Sequence, residues 1–407
     1  MTLIFKDKLI FIDEKYGLIK NIYDLPSYPG LPRVYVKMAF GGNYSTSGFN
    51  ASGAGITNEQ AINSAVGEYI ERYSCLHPSV LQKINKSLPK VNPKELNPQS
   101  STIIDKYKWI KGIKEDLKSE VLLPVDAVYL TYKSESNNRE WVTTSTGAAC
   151  GSSLEECYWK GIAEILERDS FQYNWRKQLA CPQIDIVSNE NLLNFYKKYI
   201  QTQGVKISLY AFSMDWHAPS VFGIAELPNG GCVVAASVRD TWLDASKKTL
   251  LELAQSLVGY AAILYNRKVK EKITDFSLIR EYQDHSLLYF SNDMARYLDF
   301  LNNDVLFSIP EKEPIRTNKE KLDFFITAIE NISKSIYFVD VTSPEVKNTN
   351  WLVAKAIIPG MLDIEPDFIP TLKSERFHEV DDYLLLNKKR TYEELHKPQP
   401  LVPHPFP

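Results

Sequence analysis

The 407-residue chain has no Cys-x-x-Cys pair, no excess of basic residues and no long uninterrupted apolar run. Its five cysteines, Cys75, Cys150, Cys157, Cys181 and Cys232, are odd in number and widely spaced, which argues against a zinc ribbon or a disulfide framework. Cys150 and Cys157 read as small buried hydrophobes. A formal net charge of −3 offers no basic footprint for nucleic acid. No segment has the apolar length of a bilayer span, and the opening MTLIFKDKLIFIDEKYG lacks the continuous apolar stretch of a signal peptide. A cytoplasmic protein with no membrane partner is expected. The Gly/Ser-rich stretch Gly41 to Gly55 leads into a helix start, but it has neither P-loop nor G-x-G-x-x-G spacing.

What the chain does have is a doubled acidic pattern. Ser64-Ala-Val-Gly-Glu68-Tyr-Ile-Glu71-Arg72 returns 96 positions later as Lys160-Gly-Ile-Ala-Glu164-Ile-Leu-Glu167-Arg168. Gly55, Glu59 and Ser74 recur at the same offset as Gly151, Glu155 and Ser170. On a helix advancing about 100° per residue, Ser64, Glu68 and Glu71 fall near 0°, 40° and −20°, with Arg72 beside them. Ile62, Ala65, Val66, Tyr69 and Ile70 form the opposite apolar face of the first helix, and Ile162, Ile165 and Leu166 that of the second. Thr57 with Gln60, and Ser153 with Glu156, read as capping boxes that fix where both helices begin. One such helix could be a solvated charged face. Two with matched starts point instead to carboxylates gathered around a cation. Hard oxygen donors suit Mg²⁺, and Mg²⁺ suits a nucleotide's phosphates.

Around these helices the pattern predicts strands at 34–40, 121–130, 141–145, 205–212, 220–225, 231–237, 336–341 and 351–358, and a third long helix opening at Asp244 and carrying Glu252 and Gln255. Residues 267–334 are the least readable. Strands alternating with long helices predict an α/β protein with mixed layers.

The segments Ser52 to Ser74, Ser145 to Cys157 and Glu164 to Phe171, with Leu251-Glu-Leu-Ala-Gln-Ser256, Val339-Asp-Val-Thr-Ser-Pro344 and Ile358-Pro-Gly360, together resemble the YcaO family. The resemblance spans roughly residues 40 to 365. It implies a domain at 41–375 that binds ATP and Mg²⁺ and activates peptide backbone amides, preceded by N-terminal strands and a Pro-rich segment at 1–40 and followed by a C-terminal segment at 376–407. Carried over position by position, it implies metal-facing roles for Glu68, Glu71, Glu164 and Glu167. Glu156 is a further metal candidate, although its place in the capping box offers it a structural job. Ser64, Arg72, Ser152, Arg168, Glu252 and Gln255 correspond to nucleotide-contacting positions.

The ending Pro403-His-Pro-Phe-Pro407 resembles the tail of azoline-forming members, which reaches back into the active site; Pro403 and Pro405 stiffen it, and the Pro407 carboxylate becomes the candidate general base. The implied reaction is ATP-dependent conversion of Cys, Ser or Thr in a ribosomally made precursor peptide to thiazoline or (methyl)oxazoline. Thioamide or amidine formation, or a catalytically weakened scaffold, stays open. The departures bear on the last. Ala54 and Leu257 stand where many members have Lys and Arg, and Lys355 replaces a frequent Arg before Pro359-Gly360. The partners implied are the precursor peptide, a separate E1-like or ocin-ThiF-type leader-binding protein, a flavin dehydrogenase and a second copy of the chain.

Overall fold

The computed structural model describes residues 11–41, 50–78, 87–98, 100, 107–130, 143–266, 275–291 and 293–406. In chain order the elements are β1 (Asn21–Asp24), β2 (Tyr35–Phe40), β3 (Asn50–Gly55), α1 (Asn58–Leu76), β4 (Trp109–Lys114), β5 (Glu120–Pro124), β6 (Ala148–Gly151) and α2 (Leu154–Lys177). There follow β7 (Gln183–Ile184), β8 (Lys206–Phe212), β9 (Ser220–Glu226), β10 (Cys232–Val238), α3 (Trp242–Asn266), α4 (Tyr282–Ser291), β11 (Leu306–Phe307), α5 (Asn318–Ala328), β12 (Tyr337–Asp340), β13 (Leu352–Ile357) and α6 (Glu375–Leu386). The protein is an α/β structure whose described residues form three sheets, ordered β1-β2-β3, β5-β4-β12-β13-β6 and β10-β9-β8-β7-β11. All pairings are antiparallel except β11 with β7.

Helix α2 lies between the two larger sheets, against β6 and β13 on one side and β9 and β10 on the other. It is therefore buried nearly all round, several of its polar residues included, and Tyr173 and Trp175 are almost wholly buried. Removing each such side chain from water contributes about 1.5–3 kcal/mol. Helix α1 packs on β2, β3 and β6, and α3 reaches β3, β9 and β10, so β3 touches two of the three acidic helices. Gly53 makes that contact: a Cβ there would lie 2.1 Å from the Ala65 nitrogen, so only glycine lets β3 approach the α1 backbone. Arg376 of α6 is buried between Asp169 of α2 (2.8 Å) and Asp215 (2.5 Å), tying the C-terminal segment to the central helix. All five cysteines are buried and free. Among the described residues no helix is long and apolar enough to cross a membrane.

The predicted helix starts fall where expected, with one shared difference. Thr57 and Ser153 each accept the amide three residues on, but the reciprocal arms of Gln60 and Glu156 reach the amides of Ile56 and Ser152, one residue before the cap. Helix α3 begins at Trp242 rather than Asp244, because the Thr241 hydroxyl accepts the Asp244 amide. The strand expected at 141–145 is not formed by Thr143 to Ser145; residues 141 and 142 lie outside the described residues.

Candidate functional site

The two copies of the acidic pattern are two copies of one strand–turn–helix unit, β3–α1 and β6–α2. In each, the first glutamate pairs with the arginine one turn on: Glu68 with Arg72 at 2.6 Å, Glu164 with Arg168 at 3.4 Å. In each, that glutamate also accepts a backbone amide from the preceding strand region, Ser52 within β3 donating to Glu68 and Gly147 just before β6 donating to Glu164 at 3.0 Å. The second glutamate lies deeper, and Glu167 is only 8% exposed.

Burial raises the proton affinity of all four, and the carboxylates reinforce one another. Burial drives Glu71 well above the usual carboxylate range, with Glu164 and Glu68 adding to it. Glu167 is pushed up to about 8 by burial, against the pull of Arg168 and with added repulsion from Glu252 and Glu164. Burial likewise raises Glu68 and Glu164, whose arginines oppose it. The third helix enters this field through Glu252, which pairs with Lys248 at 2.9 Å. Gln255 on the same helix donates to the Ser52 hydroxyl at 2.8 Å, fixing α3 to the strand that feeds α1.

The remaining predicted residues divide. Ser64 is half-buried beneath β3 at Gly53. Glu156 accepts from the amide and hydroxyl of Ser152 (2.9 and 2.7 Å) and pairs with Lys160 at 2.5 Å. Burial would raise Glu156, but Lys160 and Ser152 outweigh it and hold the carboxyl below its usual value. Ser152 and Glu156 are thus engaged in the helix start. Pro403 and Pro405 are buried, and the Pro403 carbonyl accepts the Tyr289 hydroxyl at 2.7 Å. The Phe406 ring packs on Phe171, and the Arg168 guanidinium lies 4.6 Å from its centroid, so the tail touches the second acidic helix. Pro407 lies outside the described residues.

Sequence reasoning missed Asp363, which accepts from the hydroxyls of Thr144 (2.5 Å) and Thr146 (2.7 Å) and adds to the repulsion on Glu164. Its place three residues after Pro359-Gly360 was the available signal. Arg239, at the end of β10, attracts Glu167 and was also missed. Lys355 is buried, donates to the Thr144 carbonyl at 2.7 Å and faces Asp363, Glu164 and Glu71, while Ala54 and Leu257 are apolar core residues. One of the three departures thus keeps a cation among the carboxylates.

The donor chemistry fits a divalent cation, because oxygens that repel one another this strongly are relieved by one. Among the described residues no three acidic, histidine or cysteine side chains stand close enough to hold one ion, because the glutamates turn to their own arginines and lysines.

Known proteins resemble this chain in sequence or in fold. An uncharacterised protein of Methanothermobacter thermautotrophicus is 24% identical over 329 residues, covering 78% of this chain and 83% of its own. Among solved structures, a heterocyclase in complex with substrate and cofactor matches 98% of this chain at TM-score 0.71 and 16% identity. The chain spans only 56% of that heterocyclase's length. YcaO from Methanopyrus kandleri, bound with AMPPCP and Mg²⁺, matches 88% of this chain and 90% of its own at TM-score 0.66 and 15% identity. The Escherichia coli microcin synthetase McbBCD complex with pro-MccB17 bound matches 88% and 90% at TM-score 0.58 and 17% identity. Residues 52–362 match the family model described as YcaO cyclodehydratase, ATP- and Mg²⁺-binding. That match begins at the Ser52 amide that holds Glu68 and ends beside Asp363, so it encloses both acidic helix units, and this chain belongs to the YcaO family.

Proposed function

We propose that the protein is an ATP-dependent cyclodehydratase acting on Cys, Ser or Thr of a ribosomally made peptide. The observation that carries this is the array of Glu68, Glu71, Glu164, Glu167 and Glu252, contributed by three helices and offset by the cations around them, Arg72, Arg168, Lys248 and Lys355 among them. In the reaction, the side-chain thiol or hydroxyl attacks the preceding carbonyl carbon and loses its proton to a base. The carbonyl oxygen takes the γ-phosphoryl group, then leaves as phosphate while the C=N bond of the azoline forms and the amide proton departs. Mg-ATP supplies that phosphoryl group and the charge neutralisation its transfer needs.

This chain's residues do the rest. Glu68, Glu71, Glu164 and Glu167 would hold the metal, and Arg72 and Arg168 would offer planar donors to the phosphate oxygens. Gln255 and Ser52 keep α3 and β3 at a fixed spacing behind the nucleotide. The Phe406 contact brings the proline-rich segment to Arg168, and in this reading the Pro407 carboxylate is the base. Glu156 holds the start of α2 and serves the site through that helix. The peptide is delivered by a separate leader-binding partner of E1-like or ocin-ThiF type, consistent with a neighbour solved as a multi-protein synthetase with its propeptide. The test is a reconstituted reaction of protein, partner and precursor with Mg-ATP. The expected result is ADP and phosphate in step with the loss of one water mass per ring. Exchange of oxygen for sulfur, or ATP binding without ring formation, overturns the reading.

A further inference from the structure

The terminal segment is gripped by a feature that neither the acidic helices nor the proline pattern requires. His404, between Pro403 and Pro405, stacks on His285 of α4 with ring centroids 3.8 Å apart and an interplanar angle of 7°. Both rings are buried. One nitrogen of His404, Nε2, faces the Glu365 carbonyl at 2.9 Å, while its Nδ1 is buried with no hydrogen-bond partner among the described residues. His285 faces two carbonyl oxygens, that of His404 through Nδ1 at 2.9 Å and that of Pro366 through Nε2 at 3.0 Å. Tyr289, one helical turn on, donates to the Pro403 carbonyl.

We propose that His285 and Tyr289 are positioning residues that clamp the terminal segment against α2, and that the stacked histidine pair makes this clamp open in acid. The inference rests on the reading that the tail serves the azoline site. A neutral imidazole donates one hydrogen bond, so neutral His404 is satisfied at Glu365 through Nε2. A first proton taken up by the pair fits His285, which then donates to both of its carbonyls. A second proton would place a like charge in a stacked ring and a new N–H where no described acceptor exists.

The surroundings work in the same direction. His404 is faced by His285 from α4 and by Arg176 and Arg168 from α2, all cationic or able to become so, and by the Glu365 backbone from the segment before α6. Asp284 and Arg176 bear on His285 with opposite signs. Near Glu365 lie Asp363, Arg176 and Gln172, and burial raises the proton affinity of the Glu365 carboxyl, which reduces its hold on a cation. Burial lowers both histidines below 6.5, and His285 lowers His404 further. An undocked tail therefore binds protons that the docked tail refuses. Docking is at full strength above about pH 6.5 and weakens as the pH falls below it.

The test uses the full-length protein, with deuterium exchange of the peptide spanning 401–407 corrected for intrinsic rate. In the wild type, protection is expected to fall at least about tenfold between roughly pH 7.5 and pH 5.5. His404→Phe, which keeps an aromatic ring in the stack but cannot be protonated, is expected to remove most of that dependence. Tyr289→Phe is expected to lower protection at both pH values by a similar factor, with His285 still titrating. Equal pH dependence in wild type and His404→Phe overturns the latch, and unchanged protection in Tyr289→Phe overturns the clamp. Removing residues 403–407 separates the two readings: if ring formation survives the deletion, the tail's catalytic role fails while the exchange results still judge the clamp.

Discussion

The guanidinium of Arg168 lies 4.6 Å from the ring centroid of Phe406, so the last described residue of the chain rests on the arginine of the second acidic helix. A cation over an aromatic face stabilises by about 0.5–2 kcal/mol, depending on solvent exposure. Here it joins the chain's end to the residue whose other partners are Glu164 and Glu167.

Phe406→Ala is expected to free the tail from Arg168 and Phe171. Ring formation should fall by roughly a hundredfold, because a displaced catalytic group costs about that much. Mg-ATP affinity, measured by calorimetry, should change little. Loss of nucleotide binding together with cyclisation would contradict a role confined to the tail.

Glu167 is raised to about 8 in the folded protein, above its ordinary 4.5. A carboxyl that binds its proton more tightly when folded stabilises most below its unfolded pKa, and that contribution is lost as the pH climbs through about 8. Glu167→Gln, which fixes the neutral form, should therefore gain in melting temperature over wild type on going from about pH 5 to pH 9. The same variant should lose the thermal stabilisation that Mg-ATP gives the wild type. Thermal scans with and without nucleotide check both, and a variant that melts lower at every pH would return Glu167 to a structural role.

Arg376 is fully buried between Asp169 and Asp215. Arg376→Leu would leave both carboxylates buried without a counter-charge, a loss of about 3–5 kcal/mol. Urea unfolding measures it. Because Asp169 directly follows Arg168, the same change should also weaken tail docking.

Gly53→Ala would drive a methyl into the α1 backbone at Ala65. The strand must retreat, separating the Ser52 amide from Glu68 and the Ser52 hydroxyl from Gln255. Nucleotide affinity should fall while α2 keeps its packing, which amide exchange resolved by segment can show.

The parts of this site legible in the sequence are those fixed by local rules. Helix starts at Thr57 and Ser153 follow from a hydroxyl three residues before its amide donor, and the faces of α1 and α2 follow from helical spacing. The start of α3 is set by more than its Thr241 cap: Glu313 accepts the amides of Trp242 and Leu243 at 2.7 and 2.8 Å, from 71 and 70 residues away. Thr143 and Thr144 look like strand residues, yet their hydroxyls go to the Asp126 carbonyl and the Asp363 carboxylate, and the segment stays a loop. Arg239 joins the carboxylates only through the folded packing of β10, which no spacing along the chain encodes, and the one local sign of Asp363 is its place just after Pro359-Gly360. The family resemblance supplied the roles; the structure added that the glutamates are held by their own cations.

Six consecutive residues of α2 each reach a different partner residue. Glu167 bears on Glu252, Arg168 on Phe406, Asp169 on Arg376, Ser170 on Ser220, Phe171 on Phe222 and Gln172 on Glu365. Each residue added to a helix turns everything beyond it by about 100°. Inserting or deleting a single residue within α2 would therefore send every one of these side chains to its neighbour's destination at once. Such a helix can change its letters over evolutionary time, but it cannot change its length.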